Sequence, residues 1–224
     1  MNLLLIAVAP VLVILIYVYI HDRYEKEPPS LLIGSFLLGA VLSVILVFII
    51  YFITGNVTGV TDNQSVGQHF IHAFLGVALT EEFSKYIIVR YYAQPKKAFN
   101  EPYDGIIYAV MVSMGFACTE NILYVLEGGQ YTAFMRAFTA VPAHATFGIL
   151  MGYFMGKAKF THKRSLFNIT GLLLAVVFHG AYDFFLFINF IPGISIGAFV
   201  SLIVGIVLAK KAMRIHQENS HFKP

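Results

Sequence analysis

Long apolar runs separated by short polar connections set the pattern of this chain. Seven apolar segments lie near residues 2–20, 31–53, 69–90, 105–126, 131–155, 166–188 and 194–209. Most are long enough, at about 18–20 residues or more, to cross a hydrocarbon core as helices. The pattern predicts an all-α, polytopic transmembrane helical bundle of about seven spans. No stretch is long or polar enough for a separate soluble domain, so residues 1–224 read as a single transmembrane domain. The polar exception among the connections is TGNVTGVTDNQSVGQ, 54–68. The opening run, MNLLLIAVAPVLVILIYVYI, lacks a basic n-region and leads into HDRYEKEPPS rather than a small-residue cleavage site. It is expected to be a retained first helix, not a signal peptide.

Composition agrees: 58% of residues are hydrophobic and 12% charged, against about 25% charged in ordinary soluble domains. The expected surroundings are a lipid bilayer and the expected location a cell membrane, crossed several times. The net charge of +3 comes from basic residues spread over several short loops, which excludes a nucleic-acid partner. The lone Cys118 excludes an internal disulfide or a multi-cysteine metal site. Thirteen of the fifteen lysines and arginines fall after the first, third and fifth segments or in the C-terminal tail. Positive loops face the cytoplasm, which predicts an outside N-terminus and a cytoplasmic C-terminus. The other two, Lys85 and Arg136, fall within predicted spans.

Against that apolar background, ALTEEFSKY at 78–86 sets two adjacent carboxylates and a lysine inside the third span. Glu81, Glu82, Glu120 and Asp183, with His144 and His179, all fall well inside predicted spans, from the third to the sixth. Each uncompensated group at that depth costs about 2.5–3.5 kcal/mol on insertion scales. Any one could be packing glue, and His144 could be satisfied by a backbone carbonyl. Six at similar depth on four consecutive helices point to a site in the bundle core. Helical spacing of four aligns Glu81 with Lys85, Phe116 with Glu120, and His179 with Asp183. Gly76, Gly115, Ala117, Gly148, Gly152, Gly180 and Ala181 cluster around these positions and would let the helices approach closely.

Several familiar chemistries are absent. There is no HExxH zinc-protease helix. GISIG, 193–197, matches G-x-S-x-G formally but has no histidine near and reads as a helix start. An aspartyl pair would need a second deep aspartate beside Asp183, and Asp104 lies at a predicted membrane edge. His69 and His72 sit at the mouth of the third span, where histidine is cheap. Glutamate and histidine chemistry remains.

EEFSK (E-E-x-x-K), FACTE (F-x-x-x-E) and HGAYD (H-x-x-x-D), in that order on separate spans, resemble the PrsW family of bacterial intramembrane proteases. That family is distantly similar to the CAAX-protease and bacteriocin-processing superfamily. The resemblance covers nearly the whole chain. It implies a protease making the first (site-1), extracytoplasmic-side cut in a membrane-spanning anti-sigma factor, after which an envelope-stress sigma factor is released. The implied partner is thus a single-span membrane protein. Carried over by position, the family's paired glutamates are Glu81 and Glu82 and its third-motif histidine is His179. Glu120 stands where the CAAX proteases have histidine, and Asp183 where they commonly have asparagine.

Two mechanisms fit this set. In one, zinc is held by His144, His179 and a carboxylate, Glu120 or Glu82, with Glu81 as general base and Asp183 supporting a ligand. In the other there is no metal: Glu81, beside the like charge of Glu82, takes a proton from water, and His179 stabilises the oxyanion. Glu81, Glu82, His179, Glu120 and Asp183 are the candidate catalytic set in either case. The rival functions are an ion- or proton-coupled transporter, since Glu, His and Asp also build ion relays, and a non-catalytic immunity or scaffold protein. Against a transporter, no inverted repeat is visible. A reporter fused to the C-terminus is expected to read cytoplasm, and one placed in 54–68 to read outside. A periplasmic-type signal from the C-terminal fusion would overturn the orientation.

Overall fold

The computed structural model describes residues 3–55, 65–188 and 190–223, and every regular element among them is helical. Helix α1 spans Leu3–His21. Helix α2 covers Pro29–Thr54, with a π-helical turn at Gly39–Ser43. It begins at Pro29, where the missing N–H would have been unpaired in any case. It stops at Gly55, whose φ of +69° is the left-handed conformation that glycine adopts freely. Helix α3 runs without a break over 66–93. Ser65 and Gln68 close its first turn as a reciprocal capping box. Two π segments, His72–Ala78 and Val89–Ala93, flank its α-helical centre, Leu79–Ile88.

Helix α4 is Pro102–Phe138, α5 is Ala140–Lys159, α6 is Arg164–Phe187 and α7 is Ile196–Glu218. Among the described residues each of these seven rods overlaps one of the seven apolar segments. Five stretches are long and apolar enough to cross a membrane, and one of them, 102–159, contains both α4 and α5. The apolar run of α3 is interrupted by Glu81, Glu82 and Lys85. Residue 2 of the first segment and residues 56–64 of the polar connection lie outside the described residues.

One boundary differs from expectation. The fifth segment was expected to begin near 131, but α4 turns sharply at Gly129 (φ 70°, ψ −157°) and continues as a short helical piece to Phe138. A second break at Thr139 (φ −123°, ψ −81°) precedes α5. The polar EGGQ at 127–130 marks the first break, but hydropathy does not register the second, because apolar residues flank Thr139 on both sides. Arg136 therefore stands on the short last piece of α4, between the two breaks.

The packing is inverted relative to a water-soluble protein. Only 17% of the most apolar stretch is buried in α1 and in α2, against 72% in 102–159. Phe52, Ile53, Leu5 and Val13 point outward. Such an apolar exterior is what lipid solvates, and the chain is a multi-pass membrane protein by these features. At the centre stands α4, whose residues from Tyr103 to Cys118 are buried with the exception of Met111. Cys118 is a core packing residue there.

Close backbone contact makes this possible. Gly105 of α4 lies directly against the backbone of Gly152 and Gly156 in α5, and Gly115 lies against Phe36 and Ala40 in α2. Gly148 faces Ser113, and Gly180 faces the Phe74 ring. Gly152→Leu should therefore push α4 and α5 apart, with an overpacking penalty of about 1–3 kcal/mol or more. The expected outcome is a lowered thermal midpoint in detergent micelles. An unchanged midpoint would mean that the two helices do not meet at this glycine.

Candidate functional site

The centre of α3 supplies the core of the site. Its polar face (Thr80, Glu81, Ser84 and Lys85) is buried, and so is the adjacent Glu82. Lys85 Nζ donates to Glu82 Oε1 at 2.7 Å and lies 3.4 Å from Glu81 Oε2. Both are one-turn neighbours at spacings of three and four, as helix geometry requires. The ammonium also sits over the Phe116 ring, 4.2 Å from its centroid. Ser84 Oγ donates to the Glu81 carbonyl (2.7 Å) and meets Ser43 Oγ at 2.9 Å. Ser43 belongs to the π turn of α2, so the irregular turn of one helix braces the acidic turn of the next.

Helix α6 contributes His179 and Asp183. His179 Nδ1 is 2.8 Å from Glu82 Oε1, and its Nε2 is 3.2 Å from Asp183 Oδ2 and 4.0 Å from Glu81 Oε2. The ring stacks on Phe147 of α5, with centroids 4.9 Å apart and planes 18° apart. This fixes its orientation as well as its contacts. Helix α5 contributes His144, whose ring stands at 90° to that of His179 with centroids 5.3 Å apart.

His144 is not satisfied by a backbone carbonyl. Its Nε2 meets Glu120 Oε2 of α4 at 2.9 Å, and its Nδ1 meets Lys85 Nζ at 3.4 Å. A lysine only donates, so Nδ1 is the acceptor and Nε2–H donates to Glu120. That assignment follows from the hydrogen-bond network. Glu120 Oε2 also accepts from Arg136 at 2.6 Å, and Arg136 Nε donates to Asn121 Oδ1 at 2.8 Å. Asn121 in turn donates to the Ala7 carbonyl of α1 at 2.7 Å.

All six ionisable groups singled out from the sequence thus join one network, in two halves linked through Lys85. One half is Glu81, Glu82, His179 and Asp183; the other is His144, Glu120 and Arg136. Glu81, Glu82, His144 and His179 each offer a ligand atom, and these atoms lie within 4.8 Å of one another. Two nitrogen and two carboxylate donors are a set that zinc accepts. Glu82 Oε2 is buried without a hydrogen-bond partner, which leaves lone pairs free for a cation. Glu120 falls outside this four-residue set, its Oε2 being shared by Arg136 and His144. The ammonium of Lys85 lies within 3.4 Å of three of the four donors. A metal ion and Lys85 would therefore compete for the same lone pairs.

Arg136 is the site residue that sequence reasoning passed over. The available signal was the Gly128–Gly129 pair, which breaks the apolar run and turns the following residues back towards Glu120. The residues set aside stay apart. His69 meets the Ser65 carbonyl at 3.0 Å, His72 packs near Phe187, and Ser195 begins α7.

The family model described as "PrsW family intramembrane metalloprotease" matches residues 27–209. The chain is 38% identical over 200 residues to "Protease PrsW" of Geobacillus kaustophilus, covering 89% of this chain and 86% of that protein. It is 40% identical to "Protease PrsW" of Oceanobacillus iheyensis, over 83% of each chain. The same-named protein of Bacillus subtilis is 38% identical over 80% of each. No solved structure matches the chain.

Because Glu120 is less than one-fifth exposed and its charge is answered by Arg136, Arg136→Gln should strand a buried carboxylate. Breaking one side of a buried pair costs about 3–5 kcal/mol. Combining it with Glu120→Gln should recover part of that loss. Unfolding titrations in micelles measure both, and strict additivity of the two substitutions would mean that the pair is not coupled.

Proposed function

The chain belongs to the PrsW family of intramembrane metalloproteases, and from that premise we propose that it makes the site-1, extracytoplasmic-side cut in a membrane-spanning anti-sigma factor. The reading takes residues 1–224 as one transmembrane protease domain in a bacterial cell membrane, with a single-span membrane protein as substrate. The observation that carries it is the convergence of Glu81, Glu82, His144 and His179, from three helices, within 4.8 Å of one another. Family membership also favours proteolysis over the carrier and scaffold alternatives.

Contacts divide the labour between the two glutamates. Glu82 is tied at one oxygen to Lys85 and to His179, at 2.7 and 2.8 Å. Glu81 makes only the longer approaches, 3.4 Å to Lys85 and 4.0 Å to His179. The loosely held Glu81 is the general base that takes a proton from the attacking water, worth typically 10²–10⁴-fold in rate. Glu82 orients His179, and Asp183 holds the opposite ring nitrogen. Lys85 and Arg136 balance carboxylate charge, and Arg136 fixes Glu120, which in turn fixes the tautomer of His144.

Zinc held by His144, His179 and Glu82 would supply a water acidic enough to be activated at neutral pH; His179 would give it the Nδ1 that otherwise faces Glu82 and keep Nε2 on Asp183. Glu120 serves that site through its hydrogen bond to His144 rather than as a ligand. The three helices that carry His144, His179 and Glu82 meet closely at glycines of α6, Gly171 against Met151 of α5 and Gly180 against Phe74 of α3.

Cleavage of a reconstituted single-span substrate tests the assignment. Glu81→Ala, Glu82→Ala and His179→Ala should each abolish it, at near-normal protein level and membrane insertion. Wild-type rates from folded Glu81→Ala would remove it as base.

Elemental analysis and chelation address the metal. About one equivalent of zinc, lost in His144→Ala together with activity, is the expected result. Asp183→Asn should keep the metal with affinity reduced about 10–100-fold. Fully active, metal-free protein would eliminate zinc and leave Glu81 and Glu82 acting alone.

A further inference from the structure

A second group of carboxylates lies remote from this site. Asp104, in the first turn of α4, is sixteen residues before Glu120, or about 24 Å along the helix. Glu25 and Glu27 come from the connection between α1 and α2. Each of the three offers an oxygen within 4.8 Å of the other two. Asp104 Oδ2 already accepts from the backbone N–H of Asn100 and Glu101, at 2.6 and 2.8 Å. One Glu27 oxygen accepts from the Tyr108 hydroxyl.

What remains is a set of buried oxygens without partners. Glu27 is only 2% exposed, and its Oε1 has no partner; Glu25 Oε2 has none either. Asp22, beside them and also 2% exposed, has no partner for either oxygen. Among the described residues, none of these carboxylates forms an ion pair. The neighbouring cations are turned elsewhere. Lys26 Nζ donates to the Tyr19 and Asp22 carbonyls, and Lys159 Nζ donates to the Gln94 and Lys96 carbonyls. Burial, with Asp104 beside it, pushes the Glu27 carboxyl up to about 10, and burial raises that of Asp22 to about 7 against the pull of Lys26.

Buried polar oxygens are rarely left unpaired. A proton shared between Glu27 and Asp104 would still leave Glu25 Oε2 and both Asp22 oxygens without donors. A single cation bound by several carboxylates satisfies many lone pairs at once. With oxygen donors only, the fit is to a hard ion rather than to zinc. We propose that Glu25, Glu27 and Asp104 hold a divalent cation, Mg²⁺ or Ca²⁺, which pins the α1–α2 connection to the start of α4. The site is independent of the protease centre. It ties down a region already joined to the C-terminal helix by Gln217, which donates to the His21 carbonyl, and by Ser220, which donates to Glu101.

The test uses full-length protein in detergent micelles, stripped with a chelator and then titrated separately with Mg²⁺ and Ca²⁺. Millimolar additions of one ion should raise Tm by several degrees in the wild type and in a His144→Ala/His179→Ala variant. Glu25→Gln/Glu27→Gln should lose the shift. Glu25→Gln alone, at a half-buried residue whose one hydrogen bond is 3.4 Å long, should remain folded and need at least tenfold more ion. Three results would overturn the proposal: no shift with either ion, a shift undiminished in folded Glu25→Gln, or a shift lost in the histidine variant. The first of these, joined to unchanged stability of Glu27→Gln, would identify neutral carboxylic acids in place of a cation site.

Discussion

Everything at the centre of this bundle depends on answering the charge of Glu82, a carboxylate with no exposure at all. Its Oε1 is held between the Lys85 ammonium and His179 Nδ1. Without the Lys85 ammonium that charge would face low-dielectric surroundings at a cost of several kcal/mol. The contact to Lys85 is local, set by helical spacing. The contact to His179 bridges ninety-seven residues of sequence and requires α6 to lie at one distance and rotation against α3. Gly180, next in sequence to His179, lets α6 come close enough by packing on the Phe74 ring.

The rest of the architecture serves that requirement. Glycine-to-backbone contacts bring α4 against both α2 and α5, which places Glu120 and His144 within 2.9 Å of each other. The π turns of α2 and α3 lie beside the acidic turn, one of them joined to it through Ser43 and Ser84. Such turns shift the register of side chains around a helix and recur at functional sites. The break at Gly129 returns a basic side chain to Glu120 from a piece of chain that would otherwise be a simple connection.

Much of this was legible in the sequence because membrane energetics is unforgiving. Apolar length marked the seven rods, and the cost of buried charge marked Glu81, Glu82, Glu120, His144, His179 and Asp183, all of which meet. The small residues were visible for the same reason. What was not legible involved geometry that hydropathy ignores. The helix break at Thr139 lies inside the apolar run AFTAVPA, so the fifth segment was carried back through Arg136 and its role was missed. Spacing suggested Glu81 as the partner of Lys85, whereas side-chain geometry makes Glu82 the closer one. Glu25, Glu27 and Asp104 resembled ordinary loop acids, since nothing in HDRYEKEPPS reveals that folding buries it against α4.

Charge counting gives the two mechanistic readings a common basis. The central network contains four carboxylates, Glu81, Glu82, Glu120 and Asp183, and two basic side chains, Lys85 and Arg136. With both histidines neutral, two negative charges are left over in a region nearly closed to water. A divalent ion cancels them in one step, whereas a proton on His179 cancels one, His144 Nδ1 being already an acceptor from Lys85. The two solutions exclude one another at His179, because a ring nitrogen that carries a proton has no lone pair to give a metal. Lys85 lies at the junction of the alternatives, in contact with both glutamates and with His144. Its ammonium answers carboxylate charge where no metal is bound, and a metal at the site would have to draw those same lone pairs away from it.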